Sequence, residues 1–178
     1  MDERRGYVPT KEEAMTNSEF KGIIRRAFTL NGFRYVSKNL RFDGSAASIL
    51  IGLQKFEYGE SYFINVGLYL RTLGDEVPAK VEHTHMYFRL ERLFPEWSDA
   101  IIIGGQLSHH EQPDLAVHLA RLIEDKCVPA LVELANSLDR IRRVWKDGGL
   151  RSGFILKEAR QLLSSEISST TDSLPETL

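Results

Sequence analysis

Four polar side chains, Gln54, Asn65, His85 and Arg89, have a parity that would bring them to one face of a β-sheet if their strands are neighbours. An arginine there pairs an anion, an imidazole moves a proton, and two amides orient whatever lies between them. Gly52 and Gly67 fall on the same face, and their missing side chains would leave room above the sheet. Together these positions describe a shallow polar site for binding or hydrolysing a small ligand. They also fit a simpler arrangement, in which the glycines admit a closely packed helix or loop and the amides satisfy its buried backbone groups.

Other candidate chemistry is sparser. His83 and His85 are two apart, so on a strand both would project from one side, as a zinc-binding pair does. No third ligand is fixed by spacing, although His109, His110, Asp114 and His118 carry suitable atoms, and no metal or cofactor is expected. The stretch "DRIRRVWKDGGLR" sets Arg140, Arg142, Arg143, Lys146 and Arg151 against two aspartates, beside Trp145. Such a stripe can pair phosphates and stack bases, but Trp145 continues the apolar spacing of Leu134, Leu138 and Ile141. The arginines then read as a solvated outer face, and nucleic acid is not the expected partner. GxxxxGK[ST], HExxH, CxxC and GxSxG are all absent. Gly104 and Gly105 follow an apolar run, but Pro113 opens the next helix too late for a phosphate cradle, so they read as a turn. No carboxylate pair or Ser, His, Asp set is fixed by spacing, and no catalytic residue is assigned.

The elements that must position these residues can be read from periodicity. Thr10 with Glu13 and Thr16 with Glu19 have capping-box spacing. Phe20, Ile23, Ile24, Ala27 and Phe28 make one helical stripe, which predicts a helix over 17–31. A short hairpin turning near Lys38-Asn39 follows, then a long one turning on Tyr58-Gly59. That second turn pairs Leu53 with Ile64, Ile51 with Val66 and Ile49 with Leu68, and sets Gly52 across from Asn65. Residues 81–90 read as a further strand, and "AIIIGG" as a short edge strand. Helices are expected from Pro113 to Cys127, after Pro129 as one run to Lys146, and through Ile155, Ala159, Leu162 and Leu163. Strands followed by helices give an α+β fold with a mainly antiparallel sheet of about five strands in a single domain, 1–163. Residues 164–178, rich in hydroxyls and without an aromatic, read as a flexible tail.

Composition bounds the setting. The 178 residues carry 23 basic and 25 acidic side chains, a net charge of -2 that gives no global attraction to nucleic acid or anionic lipid. One cysteine, Cys127, excludes an internal disulfide and fits a reducing compartment. The first twenty residues contain no apolar signal core, and no run of about 18 apolar residues would span a bilayer. The cytoplasm is the expected location and no membrane partner is expected. Oligomeric state is not fixed by any of these features.

Taken in order, Gly32-Phe33 after the first helix, Gln54-Lys55 before the turn, Ile64 to Gly67 after it, and His85 with Arg89, Leu90 and Leu93 form a longer pattern. Over residues 20 to 97 it resembles a bacterial family of domains of unknown function. The chain departs from that family at Phe56, where a small hydroxyl residue is usual, and at Tyr87, often basic. The resemblance implies a compact α+β domain in a cytosolic bacterial protein, with no catalytic residue attached. Some members look like small antitoxin-type proteins encoded beside polymorphic toxins, which implies a non-catalytic, immunity-like protein binder. A small-ligand or hydrolytic site on the Gln54, Asn65, His85, Arg89 face is the competing expectation.

Overall fold

The computed structural model describes residues 15–108 and 112–165. The expected Thr10–Glu13 cap, His109 and His110, and nearly all of the expected tail lie outside them. The fold is α+β: an N-terminal helix, a six-stranded antiparallel sheet and C-terminal helices.

Helix α1, Asn17–Thr29, begins where the capping box places it. The Thr16 backbone N–H donates to Glu19 Oε2 at 2.8 Å, and Thr16 Oγ1 accepts the Glu19 N–H at 3.2 Å. Phe20, Ile24, Ala27 and Phe28 are buried against the sheet side of the core. The strands then run as a meander: β1 Arg34–Val36, β2 Asn39–Asp43, β3 Ala47–Lys55, β4 Tyr62–Leu70, β5 Met86–Arg89 and β6 Phe154–Ile155. The β1–β2 turn falls on Ser37 and Lys38, both at positive φ, one residue earlier than expected. In β3 and β4 the register is as the alternation predicts, with Leu53 opposite Ile64, Ile51 opposite Val66, and Gly52 opposite Asn65.

Pairing carries two apolar rows across the sheet. Leu40, Ile51, Val66 and Phe88 make one, and Phe42, Ile49, Leu68, Met86 and Ile155 the other. All but the half-buried Phe42 are buried. The helices pack on this inner face: α2 Leu90–Leu93, α3 Ser98–Gly104, α4 Gln112–Leu122, α5 Val128–Asn136, α6 Leu138–Lys146 and α7 Lys157–Ser164.

Four expectations need correction. Residues 81–90 are not one strand: Val81–His83 is a 3-10 turn, and β5 starts only at Met86. The cause is Thr84, whose Oγ1 bonds the carbonyls of Val81 at 2.7 Å and Met86 at 2.9 Å, offering the backbone a local alternative to the ladder. "AIIIGG" is not an edge strand but lies in α3, with Ile101 buried and Ile102 and Ile103 exposed, because a short apolar run has no period that separates helix from strand. The single helix expected after Pro129 is two, broken at Ser137, which adopts extended backbone and caps α6 by accepting the Arg140 N–H at 3.1 Å. Ile155 belongs to β6, the sixth strand, rather than to α7, since two residues are too few to show alternation. Pro129 itself follows a π-helical turn, Ile123–Cys127, in which the Val128 N–H reaches the Ile123 carbonyl five residues back.

Candidate functional site

The sheet face turned away from the helices carries Leu50, Gly52 and Gln54 on β3, Phe63, Asn65, Gly67 and Tyr69 on β4, and Tyr87 and Arg89 on β5. Half of it is covered. The chain between β4 and β5 returns over the sheet and seats Val81 and Thr84 above the glycines. A Cβ added at Gly67 would lie 2.6 Å from Thr84 Oγ1 and 2.9 Å from the Val81 carbonyl oxygen, and one at Gly52 would lie 3.0 Å from Val81 Cγ2. The space left by the missing side chains is therefore filled by packing, and the expected opening above Gly52 and Gly67 is closed.

The four candidate polar residues separate into two groups. Asn65 and Arg89 are cross-strand partners, and Asn65 Nδ2 donates to Gln54 Oε1 at 3.0 Å. Arg89 lies with its guanidinium carbon 3.7 Å from the centre of the Phe63 ring, close enough for a strong cation–π contact. Asn65 is only 7% exposed, and its Oδ1 is buried with no hydrogen-bond partner among the described residues.

His85 is elsewhere. Its ring stacks on Tyr69 at 4.3 Å, and its Nδ1 accepts the Leu70 N–H at 2.9 Å. Tyr69 is four residues along β4 from Asn65, or about 13 Å at the usual rise per strand residue. Burial holds the His85 imidazole below its usual range, outweighing the opposing charge of Glu158. With Nδ1 occupied as an acceptor, the neutral ring carries its proton on Nε2. A proton held there is not delivered to an anion at Arg89. The one-sided pair of His83 and His85 also dissolves, because neither lies on a strand. Among the described residues no group of three His, Cys, Asp or Glu side chains is placed to hold a metal ion.

Cys127 is buried, and burial, with a smaller effect from Glu96, pushes its thiol up to about 12, which removes the thiolate a nucleophile needs. In the basic stretch Arg140 pairs with Glu133 at 3.1 Å and Arg142 with Asp139 at 3.6 Å, while Trp145 packs against the core. No helix among the described residues is long and apolar enough to cross a membrane.

What stays open on the outer face is an aromatic cluster around Gln54, Asn65 and Arg89. Phe56 stands edge-on to both Tyr58 and Phe63 at 5.9 Å. Tyr58 is 82% exposed and Phe56 40%. The ribbon tip that presents them is braced from behind: the Leu107 N–H donates to the Glu60 carbonyl at 2.6 Å and the Tyr62 N–H to the Gly105 carbonyl at 2.8 Å. No protein-family model, curated protein or solved structure matches this chain.

Proposed function

We propose that this chain is a non-catalytic protein-binding domain of immunity-like type, acting in the bacterial cytoplasm through the open end of its outer sheet face. The observation that carries this reading is the composition of that surface: Tyr58, Phe56, Phe63 and Arg89 in a row, each against the next, with Gln54 and Asn65 beside them. Aromatic residues and arginine are the types that dominate binding energy at protein interfaces. They sit on a braced ribbon, so little conformational freedom is lost when a partner closes over them.

Isothermal titration against the protein encoded beside this chain's gene is the direct test. Binding at micromolar concentration or tighter is expected, weakened at least tenfold by Tyr58→Ala or Arg89→Ala and unchanged by Lys146→Ala, a substitution in the basic stretch of α6. No heat at micromolar concentration, or binding indifferent to Tyr58 and Arg89, would overturn the proposal.

A further inference from the structure

On the opposite side of the sheet, between α1 and the β1–β2 hairpin, is a cavity of about 380 Å³ that the binding reading above does not use. It is lined by Lys21 and Arg25 from α1, Tyr35 from β1, Lys38 from the hairpin turn, and Leu40, Ile51 and Leu53 from β2 and β3. The spacing explains the convergence. Lys21 and Arg25 are one helical turn apart and face the same way. Tyr35 and Leu40 are cross-strand partners, as are Leu40 and Ile51, so all three line one side of the sheet.

Its electrostatics are one-sided. Three cations line the cavity and no carboxylate does. Among the described residues none of Lys21, Arg25 or Lys38 makes an ion pair. Arg25 is instead held by Tyr35, with Nη2 donating to the phenol oxygen at 3.3 Å and the guanidinium 4.7 Å from the ring centre. That contact fixes the orientation of the guanidinium without neutralising it. Lys38 occupies a position at φ 73°, in a turn type that favours asparagine and glycine. The chain thus places a lysine where the backbone prefers another residue, on the rim of a cavity already positive. The floor is apolar: Leu40 and Ile51 are buried and Leu53 partly so.

A ring of donors that carries three positive charges over an aliphatic floor matches a ligand with a compact dianion at one end and an apolar group at the other. We infer that this cavity binds a phosphate monoester, with the phosphate held by Lys21, Arg25 and Lys38 and the ester group lying on Leu40, Ile51 and Leu53. Arginine and lysine supply charge-assisted donors to the phosphate oxygens. The volume lies within the range of small-molecule sites.

Titration of the full chain with phenyl phosphate, followed by amide shifts in a ¹H–¹⁵N spectrum, tests the inference. Saturable binding below 1 mM is expected on the order of affinity that a few charge-assisted contacts supply, with shifts confined to residues near 21–25, 35–40 and 51–53. Arg25→Gln and Lys38→Gln should each weaken it at least tenfold with the rest of the spectrum unchanged, and added salt should weaken it further. Arg89→Ala, on the other face, should have no effect, which separates this site from the proposed protein-binding surface. No saturable shift, or shifts that persist in a Lys21→Gln, Arg25→Gln, Lys38→Gln variant, would overturn the assignment. Equal affinity for inorganic phosphate would overturn the role of the aliphatic floor. Vesicles containing phosphatidic acid present the same monoester from a membrane: failure to co-sediment supports a soluble ligand, and co-sedimentation abolished by Arg25→Gln overturns it in favour of a lipid.

Discussion

Gly67→Ala is expected to destabilise the protein by about 2–3 kcal/mol, toward the upper end of what overpacking costs. The sign is the informative part. In a strand interior glycine is ordinarily worse than alanine by roughly 0.5–1 kcal/mol, so a β-strand position on an open face would gain from the change. Here the added methyl would lie 2.6 Å from Thr84 Oγ1, 2.8 Å from Thr84 Cγ2 and 2.9 Å from the Val81 carbonyl oxygen. None of these groups can yield cheaply. The Thr84 hydroxyl is tied to the carbonyls of Val81 and Met86, Thr84 is 1% exposed, and one obstruction is backbone. The segment over the sheet must lift, and with it Val81 leaves its place above Gly52. A thermal melt should show a midpoint lowered by about 4–10 °C for a domain of this size. An unchanged or raised midpoint would mean that the Val81–Thr84 segment is not seated on the glycines, and that the outer face is open along its length.

Removing the Asp43 carboxylate should cost about 2 kcal/mol, the scale of charge-assisted hydrogen bonds lost from a partly buried site. Asp43 ends β2 and gathers four donors. Arg34 and Arg41 each approach it at 2.8 Å and Arg71 at 3.4 Å, while Ser48 Oγ donates to it at 2.6 Å. Ser48 is fully buried, so Asp43→Ala strands its hydroxyl as well as leaving three guanidinium groups without a counter-charge. Arg71 is also bonded to the Gly44 carbonyl at 2.7 Å, which ties the end of β4 to the turn after β2. A loosened β2–β3–β4 corner is the structural consequence.

The same carboxylate makes stability depend on pH. Burial pushes its pKa upward, but hydrogen bonds from Ser48 and Arg41, the charge of Arg41 and the bond from Arg34 outweigh that and hold it below the usual carboxylate range. The folded state therefore binds the proton less readily than the unfolded state. Its contribution is fully present above the unfolded value, about 3.9, and is lost as pH falls through the lower folded value. Urea midpoints should fall as pH drops below about 4 for the wild type and fall less steeply over that range for Asp43→Ala. Parallel curves for the two proteins would show that the cluster is not what acid disrupts.

Across the chain, the sequence by itself determined whatever is settled within one stretch. The β3–β4 register follows from an aliphatic alternation around a single turn, because a slip by one residue would turn Ile49, Ile51, Val66 and Leu68 to the outer face. The first helix follows from its stripe and its Thr16–Glu19 cap for the same reason, and the α+β class follows from the order of the periods. The four-residue polar face was only half legible. Parity correctly put Gln54, Asn65 and Arg89 together, since pairing conserves parity across neighbouring strands. Only the tertiary structure decided that His85 stands apart, that Val81 and Thr84 occupy the glycine gap, that β6 closes the sheet, and that Lys21, Arg25 and Lys38 meet across a cavity. These depend on which segment, distant in sequence, fits a given surface best, and local periodicity carries no information about that fit.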